Sequence, residues 1–241
     1  MQTYALVENG AVVNTVVWDG SPGWAPAAGV SAILVTAATG PASAGWAYAN
    51  GAFVAPAVAP FVVTLADAQA TQTSLLSAAC AAAIVAGFQS SALGVPYTYP
   101  SKATDQANLS ASVISALLAA AAAMPWMADT VLSAGQIVAT GGQLYTCVAS
   151  GPTGSAAPVW PTTAGQIAND GGAQWQLWTT PFWCEDAVGN WAFVNHTSPQ
   201  IQKVGVDAKQ AILANMAANV LLSTQVAEAE TVAAVQAIVW P

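Results

Sequence analysis

The stretch GGQLYTCVASGPTGSAAPVWP, residues 141–161, sets Tyr145, Cys147 and Trp160 among glycines, serines and prolines. Alternation along a strand puts Gln143, Tyr145 and Cys147 on one face and Leu144, Thr146 and Val148 on the other. Neither face is purely apolar, which predicts a thin β module with little core. The same texture runs from residue 126 to about 182, in short Gly- and Pro-bounded strands rich in Trp and Tyr. In AQWQLW, Trp175 and Leu177 share one side and Trp178 takes the other, so Trp178 is the exposed ring if Leu177 faces the core. Trp160 lies between Val159 and Pro161 in a stretch that cannot be a central strand, and it is placed on the rim beside Trp178. Sugars stack on flat aromatic faces, so Trp160 and Trp178 are the candidate glycan-binding residues. Trp126, Tyr145 and Trp175 leave enough rings for a core as well.

Helical periodicity flanks this module on both sides. Thr64 with Asp67 forms a capping box, and Leu75, Leu76, Ala79, Cys80, Ala83 and Ile84 make a stripe that ends at Gly87. A second helix begins near Thr104, carries Leu109, Val113, Ala116, Leu117 and Ala120 on one face, and stops at Pro125. Beyond the module, Thr197 or Ser198 caps a third helix with Pro199 in its first turn. Its stripe is Ile201, Val204, Ala208, Ala211 and Ile212, and Leu222, Val226, Ala229 and Ala233 predict a last helix. Residues 1–58 read as β: TYALVENGAVVNTVVWDG turns at Asn9-Gly10 and WAYANGAFVAP at Asn50-Gly51, both type I′ hairpin signals. Pro56 and Pro60 punctuate a linker. The expected fold class is α+β. An N-terminal β domain (1–58) precedes an Ala-rich helical domain with a small β element, split into halves (59–125 and 183–241) by the inserted β module (126–182).

Of the 241 residues, 55% are hydrophobic and only 6% are charged, against roughly 25% charged in an ordinary domain. Such a chain needs a membrane or other protein to cover its apolar surface. The uncharged run from Asp105 to Asp129 is mostly alanine and broken by Pro125, which argues against a membrane span. The start, MQTYALVENG, lacks a basic run and carries Glu8, so no cleaved signal peptide is expected. Burial against further copies is the remaining route, and a homo-oligomer is expected. Asn215 and Asn219, one turn apart on an apolar helix, either face solvent or set register in that oligomer. Three lysines, no arginine and a net charge of −8 exclude nucleic acid as a partner. Cys80, Cys147 and Cys184 lack zinc-site spacing and read as small buried hydrophobes, with a Cys147–Cys184 disulfide as the alternative. No metal site and no cofactor are expected.

Chemistry finds little footing. Glu185 and Asp186 are adjacent, so on a strand they point to opposite faces and cannot flank one glycosidic bond; the DAVGN turn after them marks a hairpin end. His196 is the single histidine, stands next to Thr197 and Pro199, and is expected to help close a helix N-terminus rather than act as a base. Asp105, Gln106 and Asn108 fit a helix start. No catalytic residue is assigned, and a non-enzymatic protein is expected.

YALVENGAVVNTVVWDG followed by GWAYANGAFVAP resembles the N-terminal β region of tail-fibre and tail-fibre-assembly proteins of tailed bacteriophages. GFQSSALGVPYTYPSKATDQANL together with WCEDAVGNWAFVNHTSPQIQKVGVDAKQAIL is similar to a domain of unknown function in such tail proteins. These resemblances imply a virion tail component, made in the host cytoplasm, that contacts other tail proteins and itself, with a trimer expected because phage fibres commonly are trimeric. The alternative they imply is an assembly chaperone absent from the mature particle. The insert, WMADTVLSAGQIVATGGQLYTCVASGPTGSAAPVWP ending in DGGAQWQLW, resembles small chitin-binding modules of bacterial chitinases. That resemblance implies Tyr145 and Cys147 packed inward and a host-surface glycan as a further partner.

Overall fold

Asn9 and Gly10 both take positive φ, 49° and 79°, and the turn they make joins β1 (Gln2–Glu8) to β2 (Ala11–Trp18). Those angles suit the type I′ turn, whose twist matches the strands it links. Asn50 and Gly51 repeat the device, at 54° and 82°, between β4 (Ala47–Ala49) and β5 (Ala52–Val54). With β3 (Val30–Leu34) they form one antiparallel sheet in the order β3-β1-β2-β4-β5. Ala5, Val7, Val12 and Phe53 are its buried core.

This is a computed structural model describing residues 1–58 and 62–241; the expected linker residue Pro60 lies outside the described residues. The chain forms two compact units, Met1–Val62 and Val63–Pro241. It is an α+β protein with mostly antiparallel sheets.

In the second unit α1 (Leu65–Ala86) starts at Thr64, whose hydroxyl accepts the Asp67 amide at 3.1 Å and donates to the Asp67 carboxylate at 2.6 Å. Gly87 ends it at φ 114°, where an added Cβ would stand 2.7 Å from the Tyr99 carbonyl, so only glycine fits. β6 (Phe88–Ser90) and β7 (Tyr97–Tyr99) follow, then α2 (Ala103–Ala122). The Lys102 amide donates to Asp105 at 3.0 Å and the Gln106 side chain to the Ser101 carbonyl at 2.8 Å, fixing the start of α2. Its buried face is Leu109, Ala116 and Ala119, with Val113 half-buried. The expected Leu117 and Ala120 are instead exposed. A stripe of small residues leaves the azimuth of a helix to its neighbours, and Gly205 of α3 faces Val113, whose methyl would stand 2.8 Å from an added Cβ.

The inserted region supplies β8 (Met124–Pro125), β9 (Val131–Leu132), β10 (Ile137–Thr140), β11 (Gln143–Ala149), β12 (Gly151–Pro152), β13 (Ile167–Asp170) and β14 (Ala173–Leu177). They build a five-stranded sheet, β13-β14-β11-β10-β8, and a β12-β9 ribbon. Its strands span 124–177 rather than 126–182. Thr179–Phe182, assigned to the insert from sequence, instead begin β15 (Thr179–Glu185), which pairs with β16 (Trp191–Thr197) and β7 in the sheet β16-β15-β7-β6.

Thr197 caps α3 (Ser198–Glu228), with Pro199 in the first turn and the Gln200 side chain returning to the Thr197 amide at 2.8 Å. The helix is continuous for 31 residues, so Leu222 and Val226 belong to it rather than to a separate last helix. After a break at 229–231, Thr231 caps the short α4 (Val232–Ala237), which buries Val235 where Ala233 was expected. α2 and α3 cover the inner face of the four-stranded sheet through Phe88, Tyr99, Leu109, Phe182, Ile201 and Val204. α1, α4 and the end of α3 close a second cluster on Leu76, Val226 and Val235.

Candidate functional site

The opening stretch packs mostly inward. Tyr145, Cys147, Trp175 and Leu177 are buried together with Leu132 and Val138. Trp160 is half-buried, its ring centroid 4.4 Å from that of Tyr145 and 5.6 Å from that of Trp175. It closes the module's core instead of standing on its rim. Trp178 is also half-buried, but its side chain packs on the sheet-and-helix cluster of Phe182 and Ile201. The two candidate glycan-binding rings therefore belong to different cores and do not share a face. For Trp160 the thinness of the module is the physical reason: a small sheet has few other groups with which to fill its interior.

The polar centre of the module is Asp170. One carboxylate oxygen accepts the indole N–H of both Trp126 and Trp175 at 2.8 Å, and the other accepts the Gly154 amide at 2.7 Å. Cys147 and Cys184 are free thiols in separate clusters, so they make no disulfide. Burial raises the pKa of each above the ordinary thiol value, which suppresses the reactive thiolate.

His196 does not close a helix N-terminus. It lies on β16 with its ring fully enclosed, Nε2 2.8 Å from the Tyr99 hydroxyl and Nδ1 2.8 Å from the Val194 carbonyl. A carbonyl only accepts, so neutral His196 carries its proton on Nδ1 and the Tyr99 O–H donates to Nε2. Burial lowers the His196 pKa, with the Val194 bond opposing it, and burial raises that of Tyr99. Both ring nitrogens are thus occupied away from solvent.

Across the four-stranded sheet, residues that pair point the same way. One row on the outer face reads Gln89, Thr98, Glu185, Trp191, and the next holds Trp183 opposite Phe193. Trp183 and Trp191 are each 39% exposed and Phe193 is 68% exposed. The two indoles are nearly parallel, at 21° with centroids 6.1 Å apart, and Phe193 leans on Trp183 at 4.9 Å and 60°. Beside them a recess of about 390 Å³ is lined by Gln89, Thr98, Glu185 and Asp186. Asp186 itself holds the DAVGN turn, accepting the amides of Val188 and Asn190 at 2.9 Å, and the Asn190 amide leads the bonds that lower its pKa. Sequence reasoning missed this face, although the alternation in WAF and the turn at 186–190 were enough to set Trp183, Trp191 and Phe193 on one side.

The helices carry outward apolar residues too. On α3, Val206, Leu213 and Val220 recur every seven residues, and Met216 and Leu221 flank them, all exposed. Between α2 and α3 runs an apolar groove of about 520 Å³ lined by Leu109, Val113, Ile114, Gly205, Val206 and Ile212. Asn215 and Asn219 are not on this outward stripe. Asn215 bonds the Ala211 carbonyl of its own helix, and its own carbonyl accepts the Cys80 thiol of α1 at 3.5 Å. The Asn219 side-chain oxygen is buried without a hydrogen-bond partner. Both asparagines are half-buried, away from the outward stripe.

Among the described residues no cluster of three or more His, Cys, Asp or Glu is placed to hold a metal ion. No described helix is long and apolar enough to cross a membrane. Comparison with protein-family models, curated proteins and solved structures gave no match.

Proposed function

We propose that the protein is a non-enzymatic structural component of a tailed-bacteriophage tail, a fibre or fibre-attachment part that works as a homo-oligomer, with three copies expected. The observation that carries the self-association is the outward stripe of α3. Val206, Leu213 and Val220 are spaced by heptads, and no charge occurs between Lys209 and Glu228. A helix apolar on both faces is a helix with partners on both sides. Its inner side is filled by this chain, and a second copy presents the matching seven-residue spacing to the outer one. Leu75 and Val85 on α1 and Ile114 and Leu118 on α2 are exposed as well.

Placement in the tail rests on the resemblances of residues 1–125 and 183–241 to phage tail proteins. The alternative reading, an assembly chaperone, shares those resemblances. Mass spectrometry of purified virions tests the choice: a tail component is found there in stoichiometric amount, and absence from particles whose host lysate contains the protein rejects it in favour of the chaperone.

A further inference from the structure

We infer that the outer face of the β6–β7–β15–β16 sheet binds a neutral carbohydrate chain, with sugar rings stacked on Trp183 and Trp191 and hydroxyls bonded to Gln89, Thr98 and Glu185. This inference is independent of the tail assignment, since it rests on a different surface from the α3 stripe. An antiparallel sheet with one face on the core ordinarily shows polar residues on the other. Here the solvent side instead carries three exposed rings, held in place because the next residues along the same strands, Phe182, Cys184 and His196 among them, are locked into the core beneath.

The geometry selects the ligand. Trp183 and Trp191 are nearly parallel and stacked, with centroids 6.1 Å apart, and each keeps part of its ring toward solvent at 39% exposure. Phe193, tilted 60° against Trp183, braces that ring. A cation is better held by rings that wall it in from several sides, and two rings stacked on each other leave no space between them for one. A peptide strand adds to a sheet edge through its backbone; β16 is an edge strand, but the rings stand on the face of the sheet and not along that edge.

A sugar, by contrast, has an apolar C–H face with a hydroxyl rim, and the sheet supplies both complements side by side. Glu185 pairs directly across from Trp191 and Thr98 across from Glu185. The side chains of Gln89, Thr98 and Glu185 line the adjoining recess, and none of the three is engaged in a side-chain hydrogen bond among the described residues, so their donors and acceptors are available. The charges there are the carboxylates Glu185 and Asp186, which disfavour anionic polysaccharides.

The test uses the full chain on an array of neutral hexose and N-acetylhexosamine oligosaccharides, with affinity electrophoresis in gels containing the polymers retained. Binding to at least one neutral glycan is expected, weakened at least tenfold by Trp183→Ala and by Trp191→Ala, less by Phe193→Ala, and largely kept by Trp191→Tyr. Glu185→Ala, which leaves the rings in place, is expected to weaken binding several-fold with an unchanged thermal midpoint. Failure of the parent to bind any neutral glycan overturns the inference, as does equal affinity in both Trp variants. Overturning it equally, a changed oligomeric mass in those variants without sugar binding marks a protein contact, and displacement by choline alone marks a cation site.

Discussion

Three donors converge on the buried carboxylate of Asp170, two indoles and one backbone amide, and together they tie β13, β14 and the loop at Gly154 to the chain entering at Trp126. Removing the acceptor leaves buried N–H groups unpaired, each at about 1–3 kcal/mol. Asp170→Ala is therefore expected to cost about 3 kcal/mol or more in urea unfolding, and Asp170→Asn less, because the amide keeps one acceptor oxygen. An unchanged midpoint for Asp170→Ala would show that the carboxylate organises nothing. His196 offers a pH test. Its folded pKa is lowered by burial, so as pH falls below about 6.5 the unfolded chain takes up a proton that the folded chain refuses. Stability is complete above that pH and is lost as pH falls toward the folded value, with a slope of up to about 1.4 kcal/mol per pH unit. Chemical denaturation between pH 7.5 and 5 is expected to show this slope in the parent and a flatter one in His196→Gln. Neither role was legible from neighbouring residues: the partner of Asp170 at Trp126 lies 44 positions away, and that of His196 at Tyr99 lies 97 away. Alternation along WAFVNHT did hold a signal, since it puts His196 on the side of Val194 and away from Trp191 and Phe193.

Elements whose signal is local came through intact. The Asn-Gly turns fixed both hairpins because only residues tolerant of positive φ close a two-residue loop, and Thr64 and Pro199 marked helix starts by satisfying or dispensing with end amides. Facing was less legible where alanine dominates, as on α2, where Ala119 replaced Leu117 in the interior. The insert's boundary shifted for a related reason: β15 follows Trp178 without a turn residue, so the change of sheet leaves no mark in composition. α3 shows how one element carries two surfaces. Ile201, Val204, Ala208 and Val226 are buried, while Leu213 and Val220 stand 49% and 67% exposed. Charges placed on the outer side touch no described core cluster. Leu213→Glu with Val220→Glu is expected to leave the circular dichroism unchanged and intrinsic stability within about 0.5 kcal/mol per site, while self-association weakens at least tenfold. A loss of helix in this double variant would assign the stripe to the fold of the single chain instead.

At the scale of the molecule, the low charge read from composition and the exposed apolar residues of α3 are the two observations behind the proposed self-association. The proposed self-association is placed on Val206, Leu213 and Val220, exposed at heptad spacing, where the sequence alone offered Asn215 and Asn219. The glycan-binding candidates read from sequence, Trp160 and Trp178, pack on two separate cores, which is visible only once the strands are paired. Self-association is the central claim, and the native mass of the purified full chain at micromolar concentration tests it most directly. The account predicts a single species at three times the 24.2 kDa chain mass, shifting to lower mass in the Leu213→Glu, Val220→Glu variant; a folded, stable species at 24.2 kDa for the parent would contradict it.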